Sequence, residues 1–169
     1  MITPAFAQTM AAYNQWQNEA VLAATETLDQ AVRDADAGLF FGSITATLNH
    51  LLWADRLWLH RFAGTAKPVA ASIARSTTLF ADWPSLAAAR RLTDRSIIDW
   101  AGNLQPDWLV GDLCWYSGSL GSTVSRPRAL LVVHLFNHQT HHRGQIHAAL
   151  TRAGVATAAT DLPFMPSLG

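Results

Sequence analysis

Two histidines, His138 and His142, stand four residues apart in a stretch that also holds His134, His141 and His147. On a helix turning 100° per residue, such a pair lies about 40° apart and one turn removed along the axis. Imidazoles at that spacing can chelate one metal ion, as in other helical His-x-x-x-His sites. His134 falls about 40° to the other side of His138 and Gln145 about 20° from it, so a polar strip runs down this helix beside Leu131, Leu135, Ile146 and Leu150. His141 is offset by about 60°, and His147 points to the far face. Hydrogen-bonded core histidines produce the same spacing, so the pair alone does not separate the two readings. His50 lies among Leu48, Leu51 and Leu52. It is either a satisfied core residue or a third ligand supplied from a facing helix, the usual way that bundles assemble metal sites; spacing leaves both open.

Several chemistries are excluded by what is missing around these residues. Gln139 follows His138 where a zinc-protease helix requires the glutamate that serves as general base. The Glu-x-x-His pairs of carboxylate-rich di-iron bundles do not occur. Cys114 is the only cysteine, which rules out an intrachain disulfide and a cysteine-based zinc site; it reads as a buried small hydrophobe. Twelve basic residues balance twelve acidic ones with no basic stripe, which disfavours nucleic acid as a partner. No apolar run reaches the roughly 20 residues of a membrane span. The N-terminal Ala5-Phe6-Ala7 lacks the basic and apolar regions of a signal peptide, so a cytoplasmic protein is expected.

Four helices are predicted to carry these groups. Thr3 and Pro4 form a starting signal for the first, which is expected to continue to about Gln30, with Arg33 to Gly38 as a loop. Ser43 caps the second, which runs to near Phe62 with Gly64 as its stop. Lys67 to Ala81 reads as a long connection. The third helix spans about Pro84 to Trp100, stopped by Gly102-Asn103. Leu113 to Tyr116, followed by Ser117-Gly118-Ser119, reads as one strand and the turn of a small hairpin. The last helix follows Pro127 and ends near Arg152, before Gly154. The expected fold is therefore all-α, a four-helix bundle with long connections and a small β-hairpin before the last helix, forming one domain over residues 1–169.

The run from His134 to Gln145, His-Leu-Phe-Asn-His-Gln-Thr-His-His-Arg-Gly-Gln, closely resembles the signature of the DinB family. Leu48 to Leu59 resembles that family's second-helix motif, and Tyr13-Asn14-Gln15-Trp16 and the Thr160 to Phe164 tail also look like it. The resemblance covers nearly the whole chain and implies a metal in the middle of the bundle, nickel or zinc, held by His50, His138 and His142 with water completing the shell. It also implies a homodimer, for which the alanines of the first and third helices would allow close packing. Relatives of this kind include thiol S-transferases, mycothiol-dependent isomerases and metal-dependent hydrolases. The implied function is a metal-dependent transferase using a low-molecular-weight thiol, or a hydrolase, acting on a small-molecule substrate. The alternative is a noncatalytic, metal-stabilised bundle or binding module.

The neighbours have weaker assignments. Gln145 could orient a ligand imidazole, and Trp53, about 60° from His50 on its helix, could wall the pocket. Arg143, about 140° from His138, suits an ion pair to another helix as well as the site. Asn137, Asp55 and Asp161 are further candidates for which surface or capping roles fit better, while His134, His60 and His141 suit the mouth of the site rather than the ligand set.

Overall fold

A computed structural model of the chain describes residues 2–70 and 72–166. Its long helices are α1 (Pro4–Glu26), α3 (Ile44–Ala63), α4 (Trp83–Gly102) and α5 (Arg128–Arg152), with a short α2 (Gln30–Asp34) between the first two. The starting signals act as the sequence suggests. Thr3 Oγ1 accepts the Phe6 N–H, Ser43 Oγ accepts the Ala46 N–H, and Asp82 Oδ1 accepts the Ser85 N–H, each satisfying an otherwise orphaned donor. Gly64 closes α3 in the left-handed conformation at φ 68°, where a side chain would be strained.

The first helix ends at Glu26, short of the expected Gln30, because the Thr27 hydroxyl and amide both turn back onto Ala24 O. Asp29 then precedes a new turn, α2, where a loop was expected. There Arg33 is buried, its guanidinium donating to Leu28 O at 2.6 Å and lying over the Trp83 ring. The Lys67 to Ala81 connection likewise contains a 3-10 turn, Ile73–Thr78. The hairpin is present as β1 (Asp112–Ser117) and β2 (Ser122–Pro127), antiparallel, with Trp115 opposite Val124; Cys114, expected to be buried, is exposed opposite Ser125 because the hairpin turns that face to solvent.

Helix α1 packs chiefly on α4 and α5, and α3 packs on the same two, so α1 and α3 occupy opposite corners of the bundle. Ala7, Ala11 and Ala12 of α1 and Ala87, Ala89 and Ala101 of α4 are buried inside the single chain. Their small size therefore serves close packing within this bundle, and supplies no separate argument for a dimer.

The core is divided. One apolar cluster gathers Val21, Leu22, Leu48, Leu52, Leu86 and Leu150; the other gathers Ala11, Trp58, Phe62, Ile97, Val132 and Phe136. Between them, at mid-height on every long helix, lies a buried polar layer. Arg90 bridges Asp55 at 2.6 Å and Asp94 at 2.7 Å, and Asn18 donates to Asp94 at 2.9 Å. Gln139 donates to Asp55, and Arg143 donates to Asn14 and to Gln139 Oε1. The layer thus ties α1, α3, α4 and α5 together with two carboxylates and two guanidinium groups. Burial opposes the charge on Arg90, but Asp94 and then Asp55 raise its pKa above the ordinary value.

Candidate metal centre

Helix α3 carries His50 and helix α5 carries His138 and His142 to one place beside the polar layer. A nitrogen of each imidazole lies within 4.8 Å of one from each of the others, with His50 and His142 buried and His138 half-buried. The ring centroids stand 4.6 Å apart for His138 and His142, 5.1 Å for His50 and His142, and 5.3 Å for His50 and His138. Among the described residues, no carboxylate belongs to the cluster.

Outer partners orient two of the rings. Ser76 Oγ donates to Ile73 O at 2.5 Å, so toward His50 it presents a lone pair, 2.8 Å from Nδ1. His50 must then carry its proton on Nδ1 and an open lone pair on Nε2. On α5, Gln145 Oε1 lies 2.8 Å from His142 Nδ1 and accepts from it, while its amide nitrogen faces His141 Nε2 at 3.3 Å. That arrangement frees the His142 Nε2 lone pair in the same way.

His138 is left without a consistent set of partners. Its Nδ1 is buried and makes no hydrogen bond, and its Nε2 faces His50 Nε2 at 3.3 Å. If His138 donates from Nε2, a buried lone pair on Nδ1 goes unmet; if it does not, two lone pairs oppose each other. A cation accepting both Nε2 lone pairs removes their opposition and leaves the His138 proton on Nδ1, so the facing nitrogens fit a divalent ion of the kind imidazole favours.

The electrostatics point the same way. Burial first, then the neighbouring His142, holds His50 down to about 4. Burial and the surrounding histidines, His142 foremost, hold His138 at about 3, and burial lowers His142 as well. All three are neutral at pH 7, the form in which a histidine is a ligand.

Aromatic residues wall the cluster. Trp53 stands 5.9 Å from His50 between centroids and donates its indole N–H to Ala70 O at 2.8 Å. Phe41 packs on His50 at 4.0 Å and on His142 at 5.5 Å; with Ser76 it is a residue that sequence reasoning missed, since both lie outside the long helices. His134 is exposed, 5.7 Å from His138 between centroids, and lies at the rim with His141. Elsewhere the structure departs from expectation. Asp55, for which a surface or capping role was expected, is fully buried on Arg90 and Gln139. Arg143 reaches the amide oxygens of α1 instead of the histidines, and among the described residues makes no ion pair. His60 bonds Thr65 O, whereas Asn137 and Asp161 are exposed, as expected of surface residues.

The DinB family model matches residues 1–168. The chain belongs to the DinB family. A relative within that similarity is Protein DinB of Bacillus subtilis (strain 168), 28% identical over 160 residues that make up 92% of this chain and 91% of the relative. No solved structure gives a significant match. No helix among the described residues is long and apolar enough to cross a membrane. DinB membership and the histidine cluster agree: the site can hold a metal ion.

Proposed function

We propose that the chain binds one divalent metal ion, zinc or nickel, through His50, His138 and His142, and uses it in transfer chemistry on a small thiol-bearing molecule. The convergence of three neutral imidazoles within 4.8 Å carries the reading, because two of them have their second nitrogen already committed and the third has no satisfactory partner without a cation. An ion held by three uncharged ligands retains its full positive charge and, when bound, lowers the pKa of a water or thiol placed beside it.

The protein's own contribution is orientation and exclusion of water. Ser76 and Gln145 hold the tautomers of His50 and His142, and Phe41 and Trp53 cover the rings from the side. Thiol transfer is favoured over hydrolysis because hydrolysis calls for a general base. Asp55, the carboxylate that follows His50 on α3, is locked onto Arg90 and Gln139. A purely stabilising ion is disfavoured by the polar layer, which already joins the four long helices.

The test is elemental analysis of protein purified without an affinity tag, coupled to a thiol-transfer screen. About one metal equivalent per chain is expected, lost in His142→Ala together with any turnover. A tag-free chain that carries no metal, and whose melting temperature does not respond to added zinc or nickel, would refute the proposal.

A further inference from the structure

Arg61 lies in the last turn of α3, eleven residues beyond His50, which places it only about 20° around the helix from His50 and about three turns along it. Its guanidinium carbon lies over the Trp58 ring, 4.5 Å from the centroid, and 5.1 Å from that of Trp115, between α3 and the hairpin. Contact with ring faces leaves the N–H groups able to donate to a further partner. Among the described residues, no ion pair engages Arg61; the three that form use Arg90 twice and Arg91 once.

A continuous strip joins this cation to the histidines. His138 neighbours His134 at 5.7 Å, His134 neighbours Trp58 at 5.3 Å, and Trp58 neighbours Trp115 at 5.6 Å, all between ring centroids. Trp58 is buried and forms the floor, Trp115 and Arg61 are half-buried, and His134 is exposed at the edge. The strip is apolar along its length, neutral at the histidine end, and positive at the other.

We infer that this strip binds the body of the substrate, and that the substrate is elongated and anionic, with a carboxylate or chemically similar group held by Arg61 about three helical turns from the reacting atom at the histidines. A guanidinium already held against two indoles loses little further freedom and can offer paired N–H donors to a carboxylate. Methylene groups between the two ends lie along the accessible sides of Trp115 and His134, above the buried Trp58, where contact with apolar surface is favourable. The inference rests on the metal reading for the thiol end only.

The experiment uses the cobalt-loaded full chain, whose sulfur-to-cobalt charge-transfer band reports thiol binding at the histidines. The probes are mercaptopropionate, mercaptooctanoate and mercaptoundecanoate, each against the neutral mercapto-alcohol of equal length. A charge-assisted hydrogen-bonded pair at Arg61 should make at least one of the two long acids bind about tenfold or more tighter than its alcohol. Mercaptopropionate, too short to bridge, should show no such preference. Arg61→Met should abolish the preference while leaving the mercaptopropionate band intact, and Arg61→Lys should retain part of it. Equal affinity of acid and alcohol in the unmodified chain, or a preference that survives Arg61→Met, overturns the inference. Absence of the band with every thiol refutes the metal–thiol reading instead. Calorimetry of the metal-free chain with octanoate then tests Arg61 alone: binding abolished by Arg61→Met supports the anion site, and no binding overturns it.

Discussion

Replacing Asp55 with asparagine keeps the shape of the side chain and removes one negative charge from the middle of the bundle. Asp55 is fully buried and Arg90 is 2% exposed, so water cannot compensate for the loss. The layer contains Asp55, Asp94, Arg90 and Arg143, two charges of each sign, and Asp55→Asn leaves it with one positive charge unmatched. Breaking a buried ion pair from one side costs about 3–5 kcal/mol. For a domain of this size each kcal/mol corresponds to roughly 2–4 °C, so the melting temperature should fall by about 6–20 °C. Urea unfolding should show the loss as a lower midpoint at unchanged slope. Glu19→Gln is the internal comparison, since the Arg91–Glu19 pair is 41% and 44% exposed and such pairs contribute less than about 1 kcal/mol. If Asp55→Asn costs no more than Glu19→Gln, Asp55 is not carried as a charged partner of Arg90, and the account of the layer is wrong.

Three further outcomes are expected. The metal-free protein should lose stability on acidification from about pH 6.5 toward pH 4: His50 and His138 titrate at about 4 and about 3 when folded but near 6.5 when unfolded, so the unfolded chain binds protons first. Thermal melts across that range should flatten in His138→Gln, and an unchanged slope in that variant would contradict the assignment. Ser76→Ala removes the acceptor that holds the His50 tautomer, and should weaken metal affinity by about 10–100-fold in competition with a chromogenic chelator. Tyr13→Phe deletes the 2.6 Å bond to Thr160 O; it should cost about 1 kcal/mol and speed proteolysis of the C-terminal tail, whereas an unchanged cleavage rate would show the tail to be held by other contacts.

Much of this architecture is legible in the chain because the signals are local. Thr3-Pro4, Ser43 and Gly64 act within a turn of themselves, so their caps appear where the residues stand. The His138–His142 pair follows from helical periodicity alone, and Gln145 sits one turn from His142 by the same arithmetic. His50 was different: nothing in its own neighbourhood says what faces it, and only the resemblance paired it with α5. Ser76 and Phe41 were invisible because they reach the site through loops whose paths no periodicity describes. The polar layer was hidden for a related reason. Nothing local singles out Arg90 and Asp94, four residues apart, and Asp55 was expected at the surface or as a cap; only packing places the three against one another.

The layer also sets a length. His138 and Gln139 are adjacent on α5, and Gln139 is bonded to Asp55 of α3, one and a half turns from His50. Sliding one helix past the other by a single turn would move it about 5.4 Å and break the Gln139–Asp55 bond that joins them. The opening between the imidazoles is therefore gauged from behind, by groups that never touch an ion, and does not simply relax to suit whichever cation arrives. An ion held as proposed would be selected by radius and preferred bond angle as well as by donor type. The residues to exchange in changing that selection would then be Asp55, Arg90 and Gln139, with the histidines left in place.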